Sequence, residues 1–481
     1  MTPALIWFRR DLRLSDNPAL HNALERGYRA VPVYIHDPRS QATGAAGDWW
    51  LHHSLTALRE DLQRLGSDLA ILKGDSATLL CSLARQTGAG AVFWNRRYEP
   101  AAVAEDKNTK QALRDAGLEV RSFGAALLRE PWDFGKADNS PYRVFTPFWK
   151  ALQKSGPPRH PLRAPRALSP IAKPFPGSVS VEELNLLPVI DWYRGFHDRW
   201  KPGEAGAWAK LRSFLDNAVK DYPEDRDRPA LPATSRLSPH LHFGEITPSQ
   251  VWHSALAWAT SESEAGTVAA AESFLRQIAW REFSHHMLFH FPHTAEEPLD
   301  TRYRAFPWET DYRGALEAWQ KGETGIPIVD AGMRELWTSG WMHNRVRMIC
   351  ASLLTKNLLV PWQQGARWFW DTLVDADLAN NSFGWQWTAG CGADAAPYFR
   401  IFNPVAQGER FDADGSYVRR WLPELKGLPA KWIHKPWEAP EELLTSAGVI
   451  LDKNYPRAIV DLKRSRTRAL EAWEQVKRQR V

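Results

Sequence analysis

Thirteen consecutive residues, Asp375 to Trp387, read D-A-D-L-A-N-N-S-F-G-W-Q-W and bring two carboxylates, an adjacent pair of amides and two tryptophans together. Carboxylates and amides can hold a polar cofactor by hydrogen bonds, and the indole ring is readily oxidised. The chain carries 25 Trp in 481 residues, more indole than packing alone usually requires. The segment therefore predicts short-range electron transfer beside a bound redox group.

Two other segments carry residues of matching chemistry. Gly340 to Met348 reads G-W-M-H-N-R-V-R-M; on a helix Asn344, Arg347 and Met348 share a face and Arg345 turns toward another. Arg347 could pair with Asp375 or Asp377. A buried guanidinium–carboxylate pair is kept when its remaining donors are occupied, which implies a polar ligand; an ordinary structural ion pair is the plain alternative. The D-x-D pair also suits a divalent metal, but no third acidic or His ligand lies nearby in sequence, so no metal is expected. Thr234 to Leu241, T-S-R-L-S-P-H-L, sets two hydroxyls before a helix start, where unpaired N–H groups can cradle phosphate. Read alone, a simple capped turn explains it better. Trp362 precedes Trp385 by 23 residues, and Trp308, Trp319, Trp337, Trp341, Trp368 and Trp370 lie around them; taken singly, each reads as a core residue. His52-His53 and His285-His286 have no accompanying ligand set and read as ordinary core or helix-surface histidines.

The elements that must position these residues fall into two styles. Over the first 130 residues, short apolar runs (Leu5 to Phe8, Val31 to Ile35, Leu69 to Leu72, Ala91 to Trp94, Val120 to Phe123) alternate with helical stretches such as Leu51 to Leu65 and Ala101 to Ala116. This predicts a doubly wound parallel sheet, a Rossmann-like α/β domain over 1–130. It contains no G-x-G-x-x-G and no G-x-x-x-x-G-K-[ST], so neither dinucleotide nor P-loop fingerprint is present. Residues 156–176 hold seven prolines and predict a surface connector, with 131–204 as the interdomain segment. From 205 to 481 the spacing turns helical and predicts a large all-α domain. Ser238-Pro239 and Thr247-Pro248 each suggest a capping hydroxyl before a first-turn proline.

Three cysteines, Cys81, Cys350 and Cys391, are far apart and in no C-x-x-C arrangement, which speaks against a disulfide scaffold or a four-cysteine cluster. The opening residues resemble no signal peptide, no apolar run reaches membrane-spanning length, and a soluble, cytoplasmic monomer is expected. Net charge is +5. Lys453 to Val481 holds nine Lys/Arg against three Asp/Glu, with Arg400, Arg410, Arg419 and Arg420 upstream. This suits either a solvated helix face or attraction to a polyanion such as DNA.

W-F-R-R-D-L-R-L-S-D-N-P (Trp7 to Pro18), T-S-R-L-S-P, W-R-E-F (Trp280 to Phe283), G-W-M-H-N-R-V-R-M, the Asp375 segment and A-P-Y-F-R-I-F-N-P (Ala396 to Pro404) together resemble the DNA photolyase/cryptochrome family over essentially the whole chain. The resemblance implies FAD in the helical domain and UV-damaged DNA as partner. It also implies an antenna, with 5,10-methenyltetrahydrofolate expected over a deazaflavin and Glu99 as its candidate ligand. By the same resemblance Tyr222 and the loop Thr234, Ser235, Arg236, Leu237 and Ser238 would hold the FAD phosphates and ribose. Asn344, Arg347, Asp375 and Asp377 would surround the flavin and sugar, with Asn381 at flavin N5 and Gln277 and Arg281 at the cofactor's edge. Trp385, Trp362 and Trp308 would form the electron-return chain. Gln277, Trp280, Arg281, Arg345, Met348 and Trp387 would meet the lesion and its DNA.

An amide at position 381 donates a proton less readily than an acid would, so it favours an anionic reduced flavin and hence repair over sensing. The resemblance thus implies light-dependent repair of cyclobutane pyrimidine dimers, closest in type to the class III enzymes. Gln277 stands where dimer-repair enzymes commonly have Glu and (6-4) enzymes often have Gln, whereas His343-Asn344 and Met348 follow the dimer enzymes. A blue-light receptor of cryptochrome type and a (6-4) photolyase are the alternatives; the receptor predicts a regulatory extension, and 44 residues follow Trp437.

Overall fold

The computed structural model describes residues 1–37, 43–171, 175, 177–261 and 265–478. Five strands form one sheet: β1 (Pro3–Phe8), β2 (Arg29–His36), β3 (Ala70–Lys73), β4 (Ala91–Asn95) and β5 (Glu119–Phe123). All pairings are parallel and the order is β3-β2-β1-β4-β5. Ala4, Ile6 and Phe8 pack with Leu20 and Trp50 of the helices Pro18–Glu25 and Ala45–Arg64 on one face. Leu5 and Trp7 pack with Leu80 and Leu113 of Ser76–Thr87 and Pro100–Asp115 on the other. A strand covered on both faces has no polar side to show, which is why these runs are continuously apolar rather than alternating.

The rest of the chain is helical. Tertiary packing sits around two further cores, one built on Thr267–His290 and one on Pro327–Ser339, Asn344–Ser352 and Trp362–Thr372. The proline-rich stretch runs without regular structure over its described part; residues 172–174 and 176 lie outside the described residues. Within 131–204 the helix Phe145–Lys154 inserts Phe145, Phe148, Trp149 and Leu152 into the core shared with Phe283.

Thr247 caps as its sequence predicts. Its hydroxyl accepts from Gln250 N at 3.0 Å while Gln250 Oε1 accepts from Thr247 N at 2.8 Å, a reciprocal capping pair ahead of helix Pro248–Ser261. Ser238 does not cap: Leu237 takes the cap position and Ser238 is the first residue of the five-residue helix Ser238–His242. The basic C-terminal stretch forms the helix Leu462–Arg478, with Ala469, Ala472 and Val476 buried against the helical core. Residues 479–481 lie outside the described residues. No helix among the described residues is long and apolar enough to cross a membrane.

The two regions meet where β1 ends. Gly244 (φ +66°) approaches Arg10 O so closely that a Cβ would stand 2.0 Å from it, so only glycine permits the contact. Arg13 Nη1 donates to Gly244 O at 2.7 Å and Trp50 Nε1 to Glu245 at 2.9 Å across the same seam.

Candidate functional site

The helices Thr267–His290, Asn344–Ser352, Trp362–Thr372 and Leu378–Ala389 converge on one place. His343 starts the second by accepting Arg345 N on its ring Nδ1 at 3.1 Å. Its hydrogen therefore sits on Nε2, which is buried without a partner. Asn344, Arg347 and Met348 follow on one face. Arg347 Nε donates to Met342 O at 2.7 Å, and its Nη2 reaches Asp375 Oδ1 at 3.1 Å and Oδ2 at 2.9 Å. The pair the spacing allowed is thus present. Its Nη1 has no partner among the described residues. Asn344 is exposed, with Nδ2 3.8 Å from Met348 Sδ. Arg345 turns away to Asp227 at 2.6 Å and lies over the Phe411 ring.

Asp377 caps Leu378–Ala389 through Oδ1, which accepts from Asn380 N at 2.8 Å and Asn380 Nδ2 at 2.7 Å. Its Oδ2 stands 3.4 Å from both His242 Nδ1 and His285 Nε2. Burial alone would raise this carboxyl; the two imidazoles hold it well below the usual carboxylate range.

The two amides divide the work. Asn380 is tied back to the cap and accepts from Ser284. Asn381 Nδ2 donates to Ala366 O at 2.9 Å, and its Oδ1 receives no hydrogen bond among the described residues. Asn381 thus offers the site its Oδ1 as an acceptor, with one of its two amide hydrogens engaged by Ala366 O. One turn on, Trp385 is buried with an unpartnered Nε1, against Phe369 at 5.0 Å and Trp319 at 6.1 Å. Gly365 makes room for it, since a Cβ there would lie 2.0 Å from the indole. Trp362 is equally buried in the same core, while Trp308 is only partly buried, against Phe306 at 4.4 Å.

The other walls follow. Tyr222 is buried against Phe214 and Phe274. Thr234, Ser235 and Arg236 are partly exposed, and Leu237 N donates weakly to Ser235 Oγ at 3.5 Å. Arg236 adopts φ +51°, a bend that costs a residue with a Cβ roughly 1–2 kcal/mol and is retained where it aims groups at a ligand. Its guanidinium lies 4.5 Å over the Trp341 ring. Burial lowers its pKa, Glu335 opposes that, and Arg199 and Arg420 add to the lowering. Three cations near one acid make a place for an anion.

Gln277 Oε1 accepts from Arg226 at 3.0 Å. Trp280 stacks on Phe145 with ring centres 3.6 Å apart and planes 7° from parallel. Arg281 is engaged by Ala126 O at 2.8 Å and lies 3.6 Å from Glu282. Trp387 is partly buried on the Asn381 helix. Glu99 follows the carboxyl end of β4, bound by Arg97 at 3.0 Å; burial, and Asp377 with it, would raise its pKa, yet Arg97 brings it down to about 2.

Sequence reasoning passed over His242 and His285. The signal was present for His285: Gln277, Arg281 and His285 recur every four residues and so share one helix face. His242 had none, because only the fold brings the T-S-R-L-S-P-H-L-H turn against the Asp377 cap.

Residues 4–166 match the family model described as DNA photolyase, and residues 274–475 that described as FAD binding domain of DNA photolyase. The chain belongs to the DNA photolyase family. It is 51% identical over 479 residues to the deoxyribodipyrimidine photo-lyase of Agrobacterium fabrum, covering 99% of this chain and 98% of that protein. It is 38% identical to cryptochrome-1 of Arabidopsis thaliana, covering 98% of this chain and 70% of that one. The fold matches the crystal structure of a bacterial class III photolyase from Agrobacterium tumefaciens with a TM-score of 0.96 and 50% identity, over 100% of this chain and 98% of that one. The residues present fit FAD. The Arg236 cluster suits phosphates, the free Arg347 Nη1 and exposed Asn344 suit polar groups, and Asn381 Oδ1 suits an N–H.

Proposed function

We propose that this protein repairs cyclobutane pyrimidine dimers in DNA, using light and a reduced FAD, by electron transfer to a dimer flipped out of the duplex. When bound and reduced, FAD supplies the excited electron donor whose electron opens the cyclobutane ring. The observation that carries the reading is Asn381: one of its two amide hydrogens is engaged by Ala366 O, its Oδ1 is left to accept, and an amide offers no acidic proton. Full-length identity to a photo-lyase supports the same conclusion.

The side chains then have separate tasks. Arg236 and the 234–238 turn bind phosphate. Arg347, tied to Asp375 and to Met342 O, presents its spare donor in fixed orientation. Asp377 holds the Asn381 helix by its cap. Trp385 and Trp362, both buried, and the partly buried Trp308 are the residues suited to moving an oxidising equivalent outward. Trp280, backed by Phe145, offers one flat face to an extruded base. Dimers stack poorly, so flipping one costs less than flipping intact bases. In this reading Arg345, now held by Asp227, and the exposed Arg400, whose guanidinium has no partner among the described residues, serve as phosphate contacts, while Gln277 and Met348 line the lesion side.

The antenna reading is folate at the crevice where Glu99 sits. Strand order reverses at β1, and open α/β sheets bind ligands at the carboxyl ends of strands beside such a switch point. Arg10 Nη1 and Arg97 Nη1 are buried there without partners. Mass spectrometry of chromophores released on denaturation tests this; a deazaflavin or FAD alone overturns it.

The test of the main reading is illumination of the reduced protein with a dimer-containing oligonucleotide, with a dark control and a (6-4) lesion in parallel. Light-dependent loss of the dimer alone is expected. No loss of either lesion favours a receptor, and loss of the (6-4) lesion alone reassigns the substrate.

A further inference from the structure

The helix Asn344–Ser352, which carries site residues at its start, ends in a wide turn, Leu353–Asn357, closed by Leu358 N donating to Leu353 O at 2.9 Å. Two side chains here reach the same stretch of chain. Ser352 Oγ accepts from Phe402 N at 3.2 Å. The buried Lys356 sends Nζ to Tyr398 O at 3.3 Å and to Arg400 O at 3.2 Å. Neither carbonyl receives a backbone N–H among the described residues, and residues 395–403 form neither helix nor strand. Lysine is among the side chains least often fully buried; two carbonyls with no other donor are a reason for this one. Burial lowers its amine to about 7, with Cys391 opposing. Charged or neutral, the amine keeps at least two hydrogens, so both bonds persist in either state.

What Lys356 holds faces outward. Phe399, between the two carbonyls, is 65% exposed, and Arg400 is exposed beside it. Tyr398 turns inward onto Trp473, with ring centres 5.1 Å apart. Further back along the same stretch, Asp394 Oδ2 accepts from Phe145 N at 3.3 Å, and Phe145 is the ring stacked behind Trp280. The stretch therefore leaves the wall offered to an extruded base and is pinned again at Lys356 and Ser352.

Resting on the reading of Arg400 as a phosphate contact, we propose that Lys356 is a positioning residue for DNA binding: from inside the fold it fixes the carbonyls on either side of Phe399, and with them the direction in which Arg400 leaves the surface. An arginine on a loose stretch must order backbone and side chain together when it meets a phosphate. On a stretch already fixed, only the side chain remains to be ordered. Lys356 lies under the surface and meets neither strand of the duplex, so its removal should weaken binding and spare the chemistry of a dimer already bound.

Salt titrations of a dimer-containing duplex, followed by fluorescence anisotropy, compare the flavin-loaded parent with Lys356→Met, Arg400→Ala and the double variant. Methionine fills much of the lysine's space without a donor. Lys356→Met should weaken binding about fivefold, as the added ordering implies, and move the log–log salt slope toward that of Arg400→Ala. In the Arg400→Ala background the same change should alter affinity by less than about twofold, because the two positions act as one. Repair per flash at saturating dimer should match the parent. Losses that multiply in the double variant, an unmoved salt slope, or a fall in flash yield as large as the fall in affinity each overturn the proposal. A lysine that only supported the fold would lower the melting temperature and leave the slope alone.

Hydrogen exchange needs no variant. In the DNA-free parent the amides of Arg400, Ile401 and Phe402 should be protected, as their bonds to Pro397 O, Phe399 O and Ser352 Oγ imply; exchange at the rate of an open chain overturns the proposal even if Lys356→Met fails to fold. A parent that binds duplex but repairs nothing under light defeats the repair reading and not this one. Repair without coupling between positions 356 and 400 does the reverse.

Discussion

At position 381 one hydrogen bond decides which chemistry the pocket favours. One Asn381 amide hydrogen is engaged by Ala366 O, Oδ1 is left to accept a hydrogen bond from a reduced flavin, and an amide has no acidic proton to give it. Asn381→Asp should lower light-driven repair by about tenfold, equivalent to about 1.4 kcal/mol of barrier, while fluorescence anisotropy finds lesion binding unchanged. Trp385 has a different task. Trp385→Phe should slow photoreduction of the oxidised flavoprotein, followed by absorbance under blue light, and spare repair by protein reduced beforehand. Equal loss of both would remove Trp385 from the electron path. Of the upstream arginines singled out for their charge, Arg419 is spent on the carbonyls of Asp414, Lys426 and Leu428, and Arg420 donates to Ala230 O. A count of charges cannot distinguish a guanidinium that caps a turn from one that awaits a phosphate.

At the scale of elements, caps set the walls of the site. The start of helix Pro248–Ser261 is fixed by Thr247, whose hydroxyl also donates to the buried Asp16 at 2.6 Å. Asp16 in turn holds Leu162 N and Arg159 of the connector. One residue thus ties the helical domain, the first strand's exit loop and the proline-rich segment together. Thr247→Val should cost about 2 kcal/mol, combining a lost cap with a buried carboxylate deprived of a donor; the urea midpoint measures it. Helix existence was legible from spacing because one face of each is apolar. Helix ends were less so, as at Ser238, where the chain's left-handed bend at Arg236 moves the cap to Leu237.

For the whole molecule, acid should be the weak side. Burial pushes His53 down to about 4, with His52 and His197 adding to it, and pushes His286 down to about 3. The unfolded chain binds these protons near pH 6.5, while the folded chain refuses them. Stability from these groups is therefore full above about pH 6.5 and falls as pH drops toward 4. Melting temperatures between pH 4 and pH 8 should trace this limb, and His53→Gln should flatten it. DNA affinity is governed by charge at the same scale. Binding of a dimer-containing duplex should weaken linearly on a log–log plot against salt, and Arg400→Ala should reduce that slope by about 1.

Read alone, the chain determined its elements and much of its pocket chemistry. Buried parallel strands must be apolar on both sides, amphipathic helices must repeat near every fourth residue, and the Asp375 to Trp387 segment holds its acids, amides and indoles within four helical turns. Those are local constraints, written in neighbouring residues. What only the tertiary structure decided are the meetings between distant segments. His242 and His285 meet on Asp377, Asn381 engages one N–H on another helix, Phe145 of the connector backs Trp280, and Glu99 lands at the strand switch point. Such contacts depend on how helices cross and where glycines such as Gly244 and Gly365 let them approach, and no spacing within one segment encodes them.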